Sequence, residues 1–224
     1  MFGNYRKLAH YALPLFAACA MLGGCLSSTT IDLQRENYSR VIEEGESIAI
    51  LGRRHNVGPE TEGGFIDCLG KSLESEMTGV QVIPEQQFLD SLYPYFEPST
   101  APMNVQKLDD LVQTPGIADK LKEFQVRYIV WIEGSTERVD SKGSLSCTIS
   151  PGGGGCFGFA SWEDQADYRA TVWDLEALHQ EGTIDSSTSG TSYMPAILVP
   201  IPILARAQAT ACKGLAEQLR EFLG

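Results

Sequence analysis

Cysteines, histidines and one run of four glycines are the candidates for reactivity in this chain. Cys147 and Cys156 flank Thr-Ile-Ser-Pro-Gly-Gly-Gly-Gly, whose glycines can turn sharply enough to bring two Cβ atoms within bridging reach. Cys68 and Cys212 form the pair left over, each on the apolar stripe of a predicted helix, closing a loop for which chain entropy gives roughly 5 kcal/mol. A zinc site needs Cys-x-x-Cys or a histidine at ligand spacing; Cys68, Cys212, His55 and His179 are scattered, so neither a metal nor another cofactor is expected. Gly152 to Gly155 is followed by Cys156-Phe-Gly-Phe and not by the Gly-Lys-Ser/Thr of a phosphate-binding loop, so it reads as a disulfide-closed hairpin tip. Ser189-Gly-Thr-Ser-Tyr193 is not a nucleophile elbow, and His55 in a polar loop and His179 in a hairpin turn give it no partner. Glu43, Glu44 and Glu46 lack calcium-loop spacing and read as a solvated face. These residues complete no catalytic set, and an enzyme is not expected.

Residues 1–24 contain no Asp or Glu, carry Arg6 and Lys7, and then run Ala12-Leu-Pro-Leu-Phe-Ala-Ala-Cys-Ala-Met-Leu22. This is a basic region followed by an apolar run of roughly ten residues, about half the ~20 a membrane-crossing helix needs, and it reads as a signal peptide. Leu22-Gly23-Gly24-Cys25 resembles the lipobox of bacterial lipoproteins. The resemblance implies that Cys25 receives diacylglycerol, becomes residue one after cleavage, and carries fatty acids such as palmitate. Residue 26 is Leu and not Asp, which by the Gram-negative sorting rule implies the outer membrane, facing the periplasm. Export also brings the chain into an oxidising compartment. Cys19 leaves with the signal and Cys25 is spent on lipid, so the four remaining cysteines suit disulfides, with three connectivities open and the local pair assigned first.

The 224 residues hold 17 Lys and Arg against 29 Asp and Glu. Phosphate neutralisation needs clustered cations, so nucleic acid is excluded as a partner. Loss of residues 1–24 removes two basic and no acidic side chains, which takes the formal charge from −12 to −14. Such a body gains nothing from an anionic membrane surface. The lipid at Cys25 therefore acts as a tether, with Ser27, Ser28, Thr29 and Thr30 as linker.

Hydrophobic pattern predicts the strands and helices that carry these side chains. Ser47-Ile-Ala-Ile-Leu51 is a strand buried on both faces. A helix through Phe65, Cys68, Leu69, Leu73 and Met77 follows, then a strand from Val80 to Ile83 and a helix from Glu85 to Tyr93. The aromatic run Tyr93-Pro-Tyr-Phe-Glu-Pro98 reads as a satellite core. A helix through Val105 to Val112 precedes one opened by Thr114-Pro115 as N-cap and first residue. Val126 to Glu133 is a strand closed by Gly134; Ala166–Leu175 and Thr183–Ser189 make an antiparallel hairpin across a turn containing Gln180 to Gly182. A long amphipathic helix spans Leu204 to Phe222.

This order predicts an α/β fold, a single mixed parallel and antiparallel sheet packed by helices. Residues 1–24 are then signal peptide, 25–45 anchored linker and lead-in, and 46–224 one periplasmic α/β domain. With the lipobox, and with Val172-Trp-Asp-Leu-Glu, Gly182-Thr-Ile-Asp and the closing helix, the order resembles the periplasmic part of CsgG-like envelope lipoproteins. The amino-terminal domain of TolB is a more remote analogue. The sequence shows no pair of long alternating amphipathic hairpins, so a membrane pore is not expected.

Met194-Pro-Ala-Ile-Leu-Val-Pro-Ile-Pro-Ile-Leu204 is almost wholly apolar, and its prolines forbid a regular central strand or helix. Either it packs on its own domain as the entry to the last helix, or Ile197, Leu198, Val199, Ile201 and Ile203 form a docking surface for other envelope proteins or for a second copy. The functional expectation is an accessory or assembly lipoprotein that acts through protein contacts; the alternative is a periplasmic small-ligand binder or hydrolase.

Overall fold

Ser47–Gly52 is apolar at consecutive positions, and a strand alternates its side chains, so such a strand has to be covered on both faces. The computed structural model, which describes residues 27–36, 41–53, 60–97, 99–103 and 105–224, gives it both covers. Ile48 and Ile50 enter one core and Ala49 and Leu51 another. The described elements run β1 (Ser27–Arg35), β2 (Ser47–Gly52), α1 (Gly63–Glu76), β3 (Gln81–Ile83), α2 (Glu85–Ser91), α3 (Val105–Val112), α4 (Pro115–Glu123), β4 (Val126–Ser150), β5 (Gly153–Asp174), β6 (His179–Leu198) and α5 (Ala207–Leu223). The strands stand in the order β1-β6-β5-β4-β2-β3. β2 is parallel to both β3 and β4, whereas the short turns joining β4 to β5 and β5 to β6 make those pairs antiparallel. This is the expected α/β fold with one mixed sheet.

The chain divides into two compact units. The larger comprises residues 29–137, 165–189 and 206–224 and holds both cores. On one face α1 and α5 bring Phe65, Leu69, Leu73, Cys212, Leu215 and Leu219 against the even-numbered residues of β2 and β4. Cys68 and Cys212 are disulfide-bonded across these helices, with Cα atoms 6.3 Å apart. On the other face Phe88, Phe96, Leu108, Ile117 and Leu121 cover Ile129, Trp131 and Trp173. Each large side chain so buried contributes about 1.5–3 kcal/mol. The smaller unit comprises residues 138–164 and 190–205 together with Ser27 and Ser28 of the amino-terminal segment. Its disulfide joins Cys147 to Cys156, Cα atoms 4.0 Å apart.

Four sequence readings need correction. Ser27 to Thr30 are not linker: they open β1, which lies on the outer side of β6. Gly134 does not close a strand, because β4 runs on for 25 residues to Ser150. There Gly134 has φ +127°, and a Cβ would run into the Asp167 carbonyl of β5, so glycine lets the strand kink and continue. β4 and β5 therefore form a long hairpin that the pattern concealed, since Ser and Gly replace the β-branched residues by which strands are recognised. The β5–β6 turn is Leu175 to Leu178, with Leu178 at φ +54°, and not Gln180 to Gly182. Finally, β6 passes through Pro195 to Leu198 in spite of the proline. Residues after Leu198 fold back on β6, with bridges Tyr193–Ile203 and Ala196–Pro200.

Candidate functional site

Because β4, β5 and β6 are neighbours, Arg127 near the start of β4 meets Asp174 at the end of β5, and Asp174 lies beside His179 and Glu181 at the start of β6. Arg127 Nη2 donates to Asp174 Oδ2 at 2.5 Å, and its Nη1 donates to Glu176. Asp174 Oδ1 accepts the amides of Glu176 and Ala177 at 2.8 and 2.9 Å, which folds the turn. His179 Nε2 is 3.2 Å from Glu181 Oε1. Burial pushes the Tyr128 hydroxyl up, against a lowering hydrogen bond from Arg127.

The ligand atoms of Asp174, His179 and Glu181 lie within 4.8 Å of one another, a spacing that suits a metal ion. The donor set does not. Asp174 already serves a guanidinium and two amides, and the Arg127 cation beside it repels a second cation. The cluster reads as a buried ion pair that closes the strand ends. Beside it opens a cleft of about 510 Å³ bordered by Glu46, Leu121, Lys122, Val126, Arg127 and Glu176. Apolar walls with charges of both signs can hold a small amphipathic molecule; no Ser, Cys or His lines it among the described residues.

A second polar group lies elsewhere in the larger unit. Tyr168 donates to Glu62 Oε2 at 2.8 Å and shares a 2.8 Å hydrogen bond with the Thr136 hydroxyl, while the Thr136 amide donates to Glu62 Oε1 at 2.7 Å. Its ring stacks on Phe65. Burial pushes the Tyr168 hydroxyl up to about 12. The phenol stays neutral and joins the start of α1 to β4 and β5, which is a structural task.

The smaller unit is different in kind. Here large apolar side chains stand in the open: Ile149 at 95% and Ile197 at 78% exposure, with Phe157, Phe159, Leu198, Val199, Ile201, Ile203 and Leu204 also exposed. Ile197, Leu198, Val199, Ile201 and Ile203 are thus exposed, whereas Ala196 just before them is buried.

The other sequence candidates do not converge. Cys25, the segment 1–24 and His55 lie outside the described residues. His179 stands in β6 and not in a turn, and the extended strand holds it roughly 33 Å from Ser189. Gly152 to Gly155 lead into a strand and not a helix, and the Gly153 carbonyl accepts from the Ser150 hydroxyl at 2.8 Å. Of the acidic run, Glu46 Oε2 accepts the Glu43 amide at 2.8 Å within a turn before β2. The Arg127–Asp174 pair was missed; the signal for it is a charge standing inside an apolar strand, Arg127 between Val126 and Tyr128.

No family model matches the chain, and no curated protein matches it. Among solved structures it is similar to the PelC dodecamer from Paraburkholderia phytofirmans, at 9% identity and a TM-score of 0.42. A point variant of that PelC, also a dodecamer, gives 8% and 0.41. Either comparison covers 88% of this chain and 99% of the other. Among the described residues, no helix is long and apolar enough to cross a membrane.

Proposed function

We propose that the protein is an accessory of the cell envelope, lipid-anchored at Cys25 to the outer membrane on its periplasmic side, that works by contact and not by catalysis. The observation that carries this reading is the smaller unit's exposed apolar surface, an arrangement a free-standing domain would avoid. The lipobox-like Leu22-Gly-Gly-Cys25 supplies the anchor, and the buried ion pair and satisfied tyrosine network leave the polar groups of the larger unit with structural work. Intact-mass analysis of the protein from membranes tests it: a diacylglycerol adduct on Cys25, lost in Cys25→Ser together with outer-membrane fractionation, is expected. An unmodified wild-type mass overturns the anchor.

A small-ligand binder is the second reading, favoured by the cleft beside Arg127. A ligand held there, by the charges of Lys122 and Arg127, would raise the melting temperature saturably and lose affinity in Lys122→Ala.

A further inference from the structure

Residues 143–162 are twenty in a row without a charged side chain, and so are residues 186–205, in a chain that is 21% charged. The smaller unit brings much of these stretches together. A Cβ on Gly155 would sit 3.4 Å from Leu198, the Phe159 and Tyr193 rings are 6.0 Å apart, and Cys147 is bonded to Cys156. Among its described residues the charges, Arg138, Asp140, Lys142, Glu163 and Asp164, all stand at the root where β4 and β5 enter. Arg138 pairs there with Asp164 at 3.2 Å and Lys142 with Asp140 at 2.6 Å. From that root residues 143–150 of β4 reach roughly 26 Å, enough to pass lipid headgroups.

Two observations say what covers this tip. The first is the edge made by residues 199–204. The Ile201 and Ile203 amides point inward, donating to Pro195 and Tyr193 carbonyls at 3.0 and 2.7 Å. Strand alternation turns positions 200 and 202 outward, and both are proline. Between the two bridges, over residues 200–203, the edge therefore presents no outward N–H donor. That blocks addition of another strand, and it removes the groups that hydrocarbon penalises most.

The second is where the chain begins. Thr29 bonds Thr188 at 3.0 Å and the Glu36 amide donates to the Glu181 carbonyl at 2.7 Å, so β1 runs antiparallel to β6. The same register brings Ser27 level with Gly190, where β6 enters the smaller unit. β5 occupies one side of β6, so Ser27 and the returning residues 200–203, all of the smaller unit, lie on the other. Cys25 precedes Ser27 by two residues, at most about 7 Å of chain. An acyl chain on Cys25 would start beside the proline-edged hairpin.

We propose that the hairpin 193–204 is a second membrane anchor, in which Ile197, Leu198, Val199 and Ile201 enter the acyl layer of a phospholipid leaflet beside the lipid on Cys25. It rests on the lipoprotein reading for its location, and it names the partner of the exposed surface: hydrocarbon. Two anchors in one unit fix how that unit meets the membrane, which a lipid alone does not.

The test uses the full chain reconstituted into phosphatidylcholine vesicles with brominated acyl chains. Leu198→Trp and Ile201→Trp should add blue-shifted emission that the bromines quench, whereas Val41→Trp, exposed on the larger unit, should add emission that they do not. In the unlipidated Cys25→Ser chain, Leu198→Asp should weaken vesicle binding by about tenfold or more. Quenching in Cys25→Ser supports the hairpin whatever the intact mass says of the lipid. Lack of quenching in wild-type chain that carries its diacyl mass overturns the hairpin and leaves the lipid anchor standing. Blue-shifted but unquenched emission, with an oligomer that Leu198→Asp dissociates, overturns it in favour of a second copy.

Discussion

Arg127 Nη2 stands 2.5 Å from Asp174 Oδ2, and the two side chains are 5% and 0% exposed. A buried pair of this kind adds little over a well-packed apolar one, but breaking it strands a charge. Asp174→Asn should therefore lower stability by about 3–5 kcal/mol in denaturant unfolding, and adding Arg127→Met, which removes the stranded cation while Asn still offers an oxygen to the Glu176 and Ala177 amides, should recover much of that. A single variant that unfolds like wild type would mean the pair is not formed.

Joining Cys68 to Cys212 ties together positions 144 residues apart. By the chain-entropy estimate so long a loop makes the bridge worth up to about 5 kcal/mol, less any effect of native geometry. Cys68→Ala with Cys212→Ala should thus cost about 2–5 kcal/mol and leave Cys147–Cys156 in place. Non-reducing peptide mapping reads the pairing and calorimetry the cost; crossed pairs would contradict the packing of α1 on α5.

The Tyr168 phenol holds its proton more tightly folded than unfolded, with a folded value of about 12 against a usual 10.0, because it is buried. Its contribution is thus complete below pH 10 and lost as pH rises through 12. Ionisation there should cost about 2–3 kcal/mol. Tyr168→Phe should be less stable at neutral pH, by the lost hydrogen bonds, yet lose less stability than wild type between pH 10 and 12. Parallel alkaline profiles would refute this.

Exposure also sorts the variants of the apolar hairpin. Val199→Asp and Ile201→Asp change groups that stand in solvent in the free chain, so each should shift stability by less than about 0.5 kcal/mol. Ala196→Asp places a carboxylate at a 2% exposed position and should disrupt the smaller unit. Circular dichroism melts of the three separate these outcomes.

The two-sided strand β2 was legible because Ser47-Ile-Ala-Ile-Leu51 has no polar alternation, and the helices were legible through their stripes. Thr114 and Pro115 do open α4, although no Thr114 side-chain bond caps it. The Cys147–Cys156 bridge was readable from local sequence, the two cysteines being nine positions apart. The outer halves of β4 and β5 were not, since residues 143–158 are dominated by Ser and Gly, whose strand pairing is decided by partners and not by propensity. β1 was hidden for a similar reason: Ser27-Ser-Thr-Thr carries linker composition, and only β6 makes it a strand. Arg127 and Asp174 are far apart in sequence, and a contact across the sheet leaves no local trace.

β1 is the first of the described strands to be made and β6 the last, yet they are neighbours. During synthesis, amino end first, residues 27–35 wait without their β6 partner until residues 179–190 have been made. On the proposed lipoprotein reading, an enzyme acting just ahead of Ser27 before then would meet a thread and not a folded sheet, whose outer edge closes only when β6 arrives.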